Sequence, residues 1–323
     1  MASSRMMVGL AASAAALAGI ALGVRANARQ AEKKHPPAGR FIHAAGIRLH
    51  YLEAGIGGPP VVLLHGNAVR AEDYVASGVF GLVAEQHRVL AFDRPGYGYS
   101  ERPRDRLWTA ETQAAVLAEA LARLGIRRAI IVGHSWGTLA AVALALNHPE
   151  AVRGLVLLSG YYFATVRADV AMSSPAAIPV LGDAIRYTAA PLLGSLMLPG
   201  MVRKMFAPAP VPAAFTSAVP PGIMLRPWQI KANAEDAVAM IPAAATLNER
   251  YGELSRLPVS IISGAEDGIV DGEEQSVRLH GEVPASELQV VPGLGHMVHH
   301  GAPALVAEAV ETMATAGRPV SAA

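Results

Sequence analysis

Eight short apolar runs, separated for the most part by longer amphipathic stretches, constrain this chain more than any other feature. They read RFIHA at 40–44, RLHYLEAG at 48–55, PVVLLHG at 60–66, RVLAFD at 88–93, AIIVGHS at 129–135, GLVLLSG at 154–160, VSIISGAED at 259–267 and LQVVPG at 288–293. Runs of this length predict strands. The text between them predicts helices such as TAETQAAVLAEALARLG at 109–125, where Thr109 and Glu111 suit a helix start and Gly125 its end. Strand text alternating with helix text folds as α/β, with a mostly parallel eight-stranded sheet and helices on both faces.

One interval breaks the rhythm. Between the sixth and seventh runs lie roughly 98 residues, where a crossover needs only about a dozen or more. The surplus is rich in Pro, Met and Leu and poor in charge, which argues against disorder. We expect a helical cap at 161–234, inserted after strand 6 and laid over the carboxyl ends of the strands, where open α/β sheets bind ligands. The core then comprises 36–160 and 235–323.

The chain begins differently. From Met6 to Val24 there is no charge over about 19 residues, just enough to cross a bilayer core. Arg25, Arg29, Lys33 and Lys34 follow this run, whereas only Arg5 and the amino terminus precede it. By the positive-inside bias we expect residues 1–35 to form a retained membrane anchor and linker, with the remainder on the cytoplasmic side. A cleaved export signal, cut near Ala26-Asn27-Ala28, is the alternative. A formal net charge of +1 gives no electrostatic reason to expect nucleic acid as a partner. Cysteine is absent, which removes disulfides, thiolate metal sites and a cysteine nucleophile together.

The stretch GHSWG at 133–137 stands at the seam between strand-like and helix-like text. A serine hydroxyl is a poor nucleophile unless it is exposed, close to a base and near donors for an oxyanion. Gly-x-Ser-x-Gly at a strand-to-helix turn meets the first condition by holding Ser135 at a sharp tip. For the base, His296 follows the Gly-rich turn PGLG directly after the last strand. His299 and His300 already enter the next helix. A metal held by His296, His299 and His300 lacks a nearby carboxylate in sequence, and we expect no metal or cofactor. For the acid, Asp267 ends the seventh run and would fix the tautomer of His296. Glu266 and Asp271 compete. Strand alternation turns Glu266 the other way, and Asp271 suits an acidic helix start.

Five segments in order resemble a capped α/β-hydrolase: LLHGN at 63–67, FDRPGYGYS at 92–100, VGHSWG at 132–137, SGAED at 263–267 and PGLGHM at 292–297. The resemblance runs from about Gly39 to Gly317. It implies Ser135 as nucleophile, Asp267 as orienting acid and His296 as base, with the backbone N–H groups of Asn67 and Trp136 as the oxyanion hole. It also places His65, Asp93 and Arg94 near the site in structural roles, and makes His134 a packed neighbour.

Asn67 and Trp136 further resemble the pair that cradles halide in haloalkane dehalogenases, a branch shared with epoxide hydrolases. Those enzymes attack with a carboxylate. An ether formed on serine has no carbonyl through which to be released, so halide and epoxide chemistry are not expected. Thr138 stands where the family more often has glycine, a matter of helix packing. Tyr161, Tyr162, Met197 and Met205 are candidates for the substrate pocket, with Met201 and Met224 in the same apolar segment. The implied activity is that of a serine hydrolase on carboxylic esters of small to medium apolar substrates. Peptidase, thioesterase, lactonase, perhydrolase and carbon–carbon hydrolase activities, or ligand binding without turnover, use nearly the same constellation.

Overall fold

The computed structural model describes residues 2–166 and 168–316; the end of the expected core segment, 317–323, lies outside them. All eight runs form strands of one sheet: β1 (Arg40–Ala44), β2 (Ile47–Ala54), β3 (Val61–Leu64), β4 (Val89–Phe92), β5 (Ala129–His134), β6 (Val152–Leu158), β7 (Val259–Gly264) and β8 (Glu287–Val291). Their order is β1-β2-β4-β3-β5-β6-β7-β8. β2 pairs antiparallel with both β1 and β4, and every later pairing is parallel.

The alternation of side chains about the pleat builds two cores from the same strands. Val62, Leu64, Ala129 and Ile131 face one cluster with the helices α2 (Ala110–Arg123) and α3 (Gly137–Asn147). Val61, Leu63, Ile130 and Val132 face the other, closed by Val79, Val83 and the last helix, Pro303–Thr315. At the start of α2, Thr109 Oγ1 accepts from Thr112 N at 3.2 Å, so the expected cap residue satisfies one of the free amides of the first turn.

Between β6 and β7 the chain forms a series of helices, the longest being α4 (Ala189–Phe206) and α5 (Pro227–Asn248). The boundary expected at 234/235 falls inside α5, which runs on unbroken from the segment we assigned to the cap into the segment we assigned to the core. Nothing in the local text marks a break there: the run KANAEDAVAM suits a helix throughout.

The N-terminal helix α1 (Ala2–Lys34) is continuous. Its segment Ala11–Lys34 is long and apolar enough to cross a membrane. The last turns of this helix, and His35 after it, are held against the body of the protein. Ala28 and Ala31 are buried, Arg226 donates to Glu32 Oε1 at 2.8 Å, and Tyr99 hydroxyl donates to the carbonyl of His35. α1 thereby docks on the short helix Pro221–Met224 and on α5.

Candidate active site

Ser135 sits between β5 and α3 with φ of 52°, in the left-handed region. That conformation is costly for a side chain bearing Cβ and lifts the hydroxyl away from the sheet. The flanking glycines are required by close approach. A Cβ on Gly133 would stand 2.8 Å from the carbonyl oxygen of Gly137, and one on Gly137 would stand 2.3 Å from that of Leu64. The expected helix-packing role of Thr138 takes a definite form: its Oγ1 donates to the Ser135 carbonyl at 2.6 Å.

Three side chains from three strand ends meet here. Ser135 Oγ donates to His296 Nε2 at 2.9 Å, and His296 Nδ1 donates to Asp267 Oδ2 at 2.8 Å. Asp267 is anchored in turn, its Oδ1 accepting from the backbone N–H groups of Ile269 and Val270 at 2.8 and 2.9 Å. Burial by itself would raise the Asp267 carboxyl. The His296 charge and hydrogen bond, with the two amides, outweigh burial and hold it below the usual carboxylate range. Asp271 instead accepts from the amides of Glu273 and Glu274 at the head of a helical turn.

The other histidines surround His296 without joining it as ligands. His134 Nε2 donates to the His296 carbonyl at 3.0 Å, and burial, followed by the charges of His299 and His296, pushes its pKa well down. His134 is therefore a neutral brace. His299 and His300 turn the opposite way and donate from Nε2 to the two oxygens of Asp73, at 2.9 and 2.8 Å. The triple His296, His299, His300 does not converge. Among the described residues, the group whose ligand atoms lie close enough for one metal ion is Asp73, His299 and His300, with a carboxylate from far away in sequence.

The backbone N–H groups of Asn67 and Trp136, the expected oxyanion donors, have no protein acceptor among the described residues. The loop carrying Asn67 is tied down by Arg94, whose guanidinium donates to the carbonyls of His65 and Gly66 and to Asn67 Oδ1, at 2.8, 3.2 and 2.7 Å. His65 Nε2 accepts from Arg94 N at 2.9 Å while its Nδ1 donates to the Gly66 carbonyl at 2.7 Å. Burial first, and the Arg94 charge second, lower the His65 pKa to about 4, which keeps Nε2 free to accept. Asp236 on α5 completes the network. Its carboxylate, fully buried, bridges Arg94 at 2.5 Å and Arg102 at 2.8 Å. Sequence reasoning missed both Asp236 and Asp73. The available signal was a Glu-Asp pair in otherwise mostly uncharged text, Glu72-Asp73 and Glu235-Asp236.

A family model described as alpha/beta hydrolase fold matches residues 59–303. The chain belongs to the α/β-hydrolase family. A 2-hydroxymuconate semialdehyde hydrolase from Pseudomonas is 38% identical over 129 residues, covering 40% of this chain and 45% of that protein. The match thus spans under half the length of that curated relative. Haloalkane dehalogenase 2 of Mycobacterium tuberculosis is 26% identical over 288 residues, covering 85% and 94%. Among solved structures, the enol-lactonase of Burkholderia xenovorans superimposes with a TM-score of 0.68 at 18% identity, covering 85% of this chain and all 100% of that one.

This α/β hydrolase departs from the dehalogenase pattern at Trp136 as well as at Ser135. The indole Nε1 donates to the Asp236 carbonyl at 2.8 Å, and the guanidinium of Arg94 lies 4.3 Å over the ring. An N–H already committed to a backbone carbonyl is not available to a halide.

The pocket candidates divide. Met205 and Met224 are buried with Ala68, Val69 and Met297 in an apolar cluster where cap meets core, and Met297 N donates to the Met205 carbonyl at 3.2 Å. Met205 thus roofs the loop that carries His296. Met197 does not. It is 54% exposed on the outer side of α4, because the helix turns Leu198, Val202 and Met205 inward instead. Tyr161 and Tyr162 are packed in the cluster beneath α3, Tyr161 hydroxyl donating to the Thr165 carbonyl at 3.0 Å. Their size is accommodated by burial at a domain junction. A cleft of about 560 Å³ lies on the far side of α5 between Trp108 and Arg186, and none of Ser135, Asp267 and His296 lines it.

Proposed function

We propose that this α/β hydrolase cleaves carboxylic esters of small to medium apolar substrates through an acyl-enzyme. The observation that carries the reading is the unbroken relay from Ser135 Oγ through His296 to Asp267, at 2.9 and 2.8 Å, on a strained turn. Ser135 Oγ attacks the carbonyl carbon as its proton passes to His296 Nε2. The resulting oxyanion is met by the N–H groups of Asn67 and Trp136. The intermediate collapses, the imidazolium returns its proton to the departing alcohol, and a water activated by the same nitrogen releases the acid. The apolar roof over the site supports an apolar acyl or alkyl group.

A second reading has its own support: the 38% identity to a 2-hydroxymuconate semialdehyde hydrolase. In carbon–carbon cleavage the group expelled from the intermediate is a carbanion rather than an alkoxide. Turnover of a panel of chromogenic esters, amides and a ring-cleaved dienone, with the full-length chain and with Ser135→Ala, distinguishes these. We expect ester turnover that vanishes with Ser135→Ala. Dienone turnover exceeding every ester would assign the second reading, and full activity of the Ala variant would remove both.

Docking of α1 on the cap supports a retained anchor rather than an excised signal. The expected cleavage stretch Ala26-Asn27-Ala28 lies within the helix, and Ala28 is packed against the body of the protein.

A further inference from the structure

The outer side of α4 is apolar where a surface helix is ordinarily polar. Leu192, Leu193, Leu196 and Met197 are 60%, 57%, 79% and 54% exposed. No charged residue occurs between Arg186 and Arg203. Val180 and Leu181, at the start of the short helix Leu181–Arg186 that leads toward α4, are exposed too. Elsewhere in the folded body exposed large apolar side chains are scattered singly, as at Ile56 and Leu82, which is ordinary for a protein surface. A contiguous apolar face of this kind marks an interaction site.

Its place in the fold says what covers it. Arg25 of α1 stacks over Tyr187, 4.9 Å from the ring centroid, and α4 begins two residues later, at Ala189. Gly194 of α4 packs against Leu225, directly after the helix on which Ala31 of α1 rests. The apolar face of α4 therefore starts where the apolar part of α1 leaves the protein, and the two form one continuous unpartnered surface. Basic side chains border it: Arg25 and Arg29 on α1, Arg203 and Lys204 at the end of α4. Apolar side chains rimmed by lysine and arginine match the boundary between acyl chains and anionic headgroups.

We propose that the outer face of α4, with Val180 and Leu181, lies in the interfacial layer of a lipid bilayer, a second membrane contact beside α1. The inference rests on the reading of α1 as a membrane segment, and the test separates the two. The chain has no cysteine, so single substitutions Leu196→Cys, Leu17→Cys and Ile56→Cys each give one labelling site on an exposed position. The full-length variants carry an environment-sensitive fluorophore in vesicles of phosphatidylcholine and phosphatidylglycerol, with and without lipids bearing a quencher high on the acyl chain. Leu196 should emit at shorter wavelength than Ile56, which sits on the loop at the opposite end of the sheet, and should be quenched by the lipid where Ile56 is not. Quenching at Leu17 but not at Leu196 overturns the inference and leaves the anchor. Quenching at Leu196 alone keeps the inference and removes the anchor. A label at Leu196 that is shifted but indifferent to the lipid quencher means that protein, such as a second copy, covers α4, and overturns the proposal, as does silence at both positions.

Discussion

The proposal of Asp267 as the orienting acid rests on where its oxygens go. Oδ2 faces His296 while Oδ1 is held by two amides, whereas both bonds made by Asp271 are to its own helical turn. Asp267→Asn should lower kcat by roughly ten-thousand-fold, as the equivalent change does in the serine-protease triad, with folding little altered. Asp271→Asn should leave kcat unchanged, and the reverse pattern would reassign the acid. His65 makes a prediction about stability. Its folded pKa, about 4, lies below its ordinary 6.5. Between those values the unfolded chain binds the extra proton, so stability is full above pH 6.5 and falls as pH drops toward 4. Burial and Arg94 together put about 3 kcal/mol into that window. Urea unfolding across the window should show the slope in the native protein and lose that part of it in His65→Gln. The meeting of Ser135, Asp267 and His296 could be expected from sequence because each stands within a few residues of a strand's end, where local text reports position. Asp236 and Asp73 were not, since their partners lie 142 and 226 residues away along the chain.

The strands and the helices that cover them were legible for a simple reason: alternation about a pleat and apolar spacing along a helix are written locally. The cap was legible only in outline. Its helices carry apolar residues on several sides, so spacing alone does not say which side is inward, and Met197, a pocket candidate as a thioether in the apolar segment, lies on the outer side. α5 is the element that unites cap and core. Removing the charge of Asp236 leaves Arg94 buried without its carboxylate and Arg102 with Glu235 alone, and breaking a buried pair in this way costs about 3–5 kcal/mol. Asp236→Asn should therefore lower stability by that amount and also reduce kcat, because Arg94 no longer clamps Asn67. Glu235→Gln, whose partners Arg102 and Lys231 it meets at the partly exposed edge of the same helix, should change stability by less than about 1 kcal/mol. Chemical unfolding paired with steady-state kinetics checks both variants.

At the scale of the molecule, the fold follows from the parallel sheet, and the placement of α1 follows from contacts no local text reports. Ala28, Ala31 and Glu32 read as ordinary helix until Arg226 and Gly222 are seen opposite them. That docking has a kinetic consequence. If α1 anchors the enzyme as proposed, a helix docked on the cap leaves it no tether on which to wander, so its mouth keeps one height and one orientation above the lipid. Such an enzyme meets a lipid-soluble ester by diffusion in two dimensions, and its rate follows the ester's mole fraction in the surface rather than its amount per litre. Diluting a fixed quantity of long-chain ester with inert phospholipid should slow the full-length protein in proportion, while hydrolysis of a freely water-soluble acetate, which arrives in three dimensions, stays as it was.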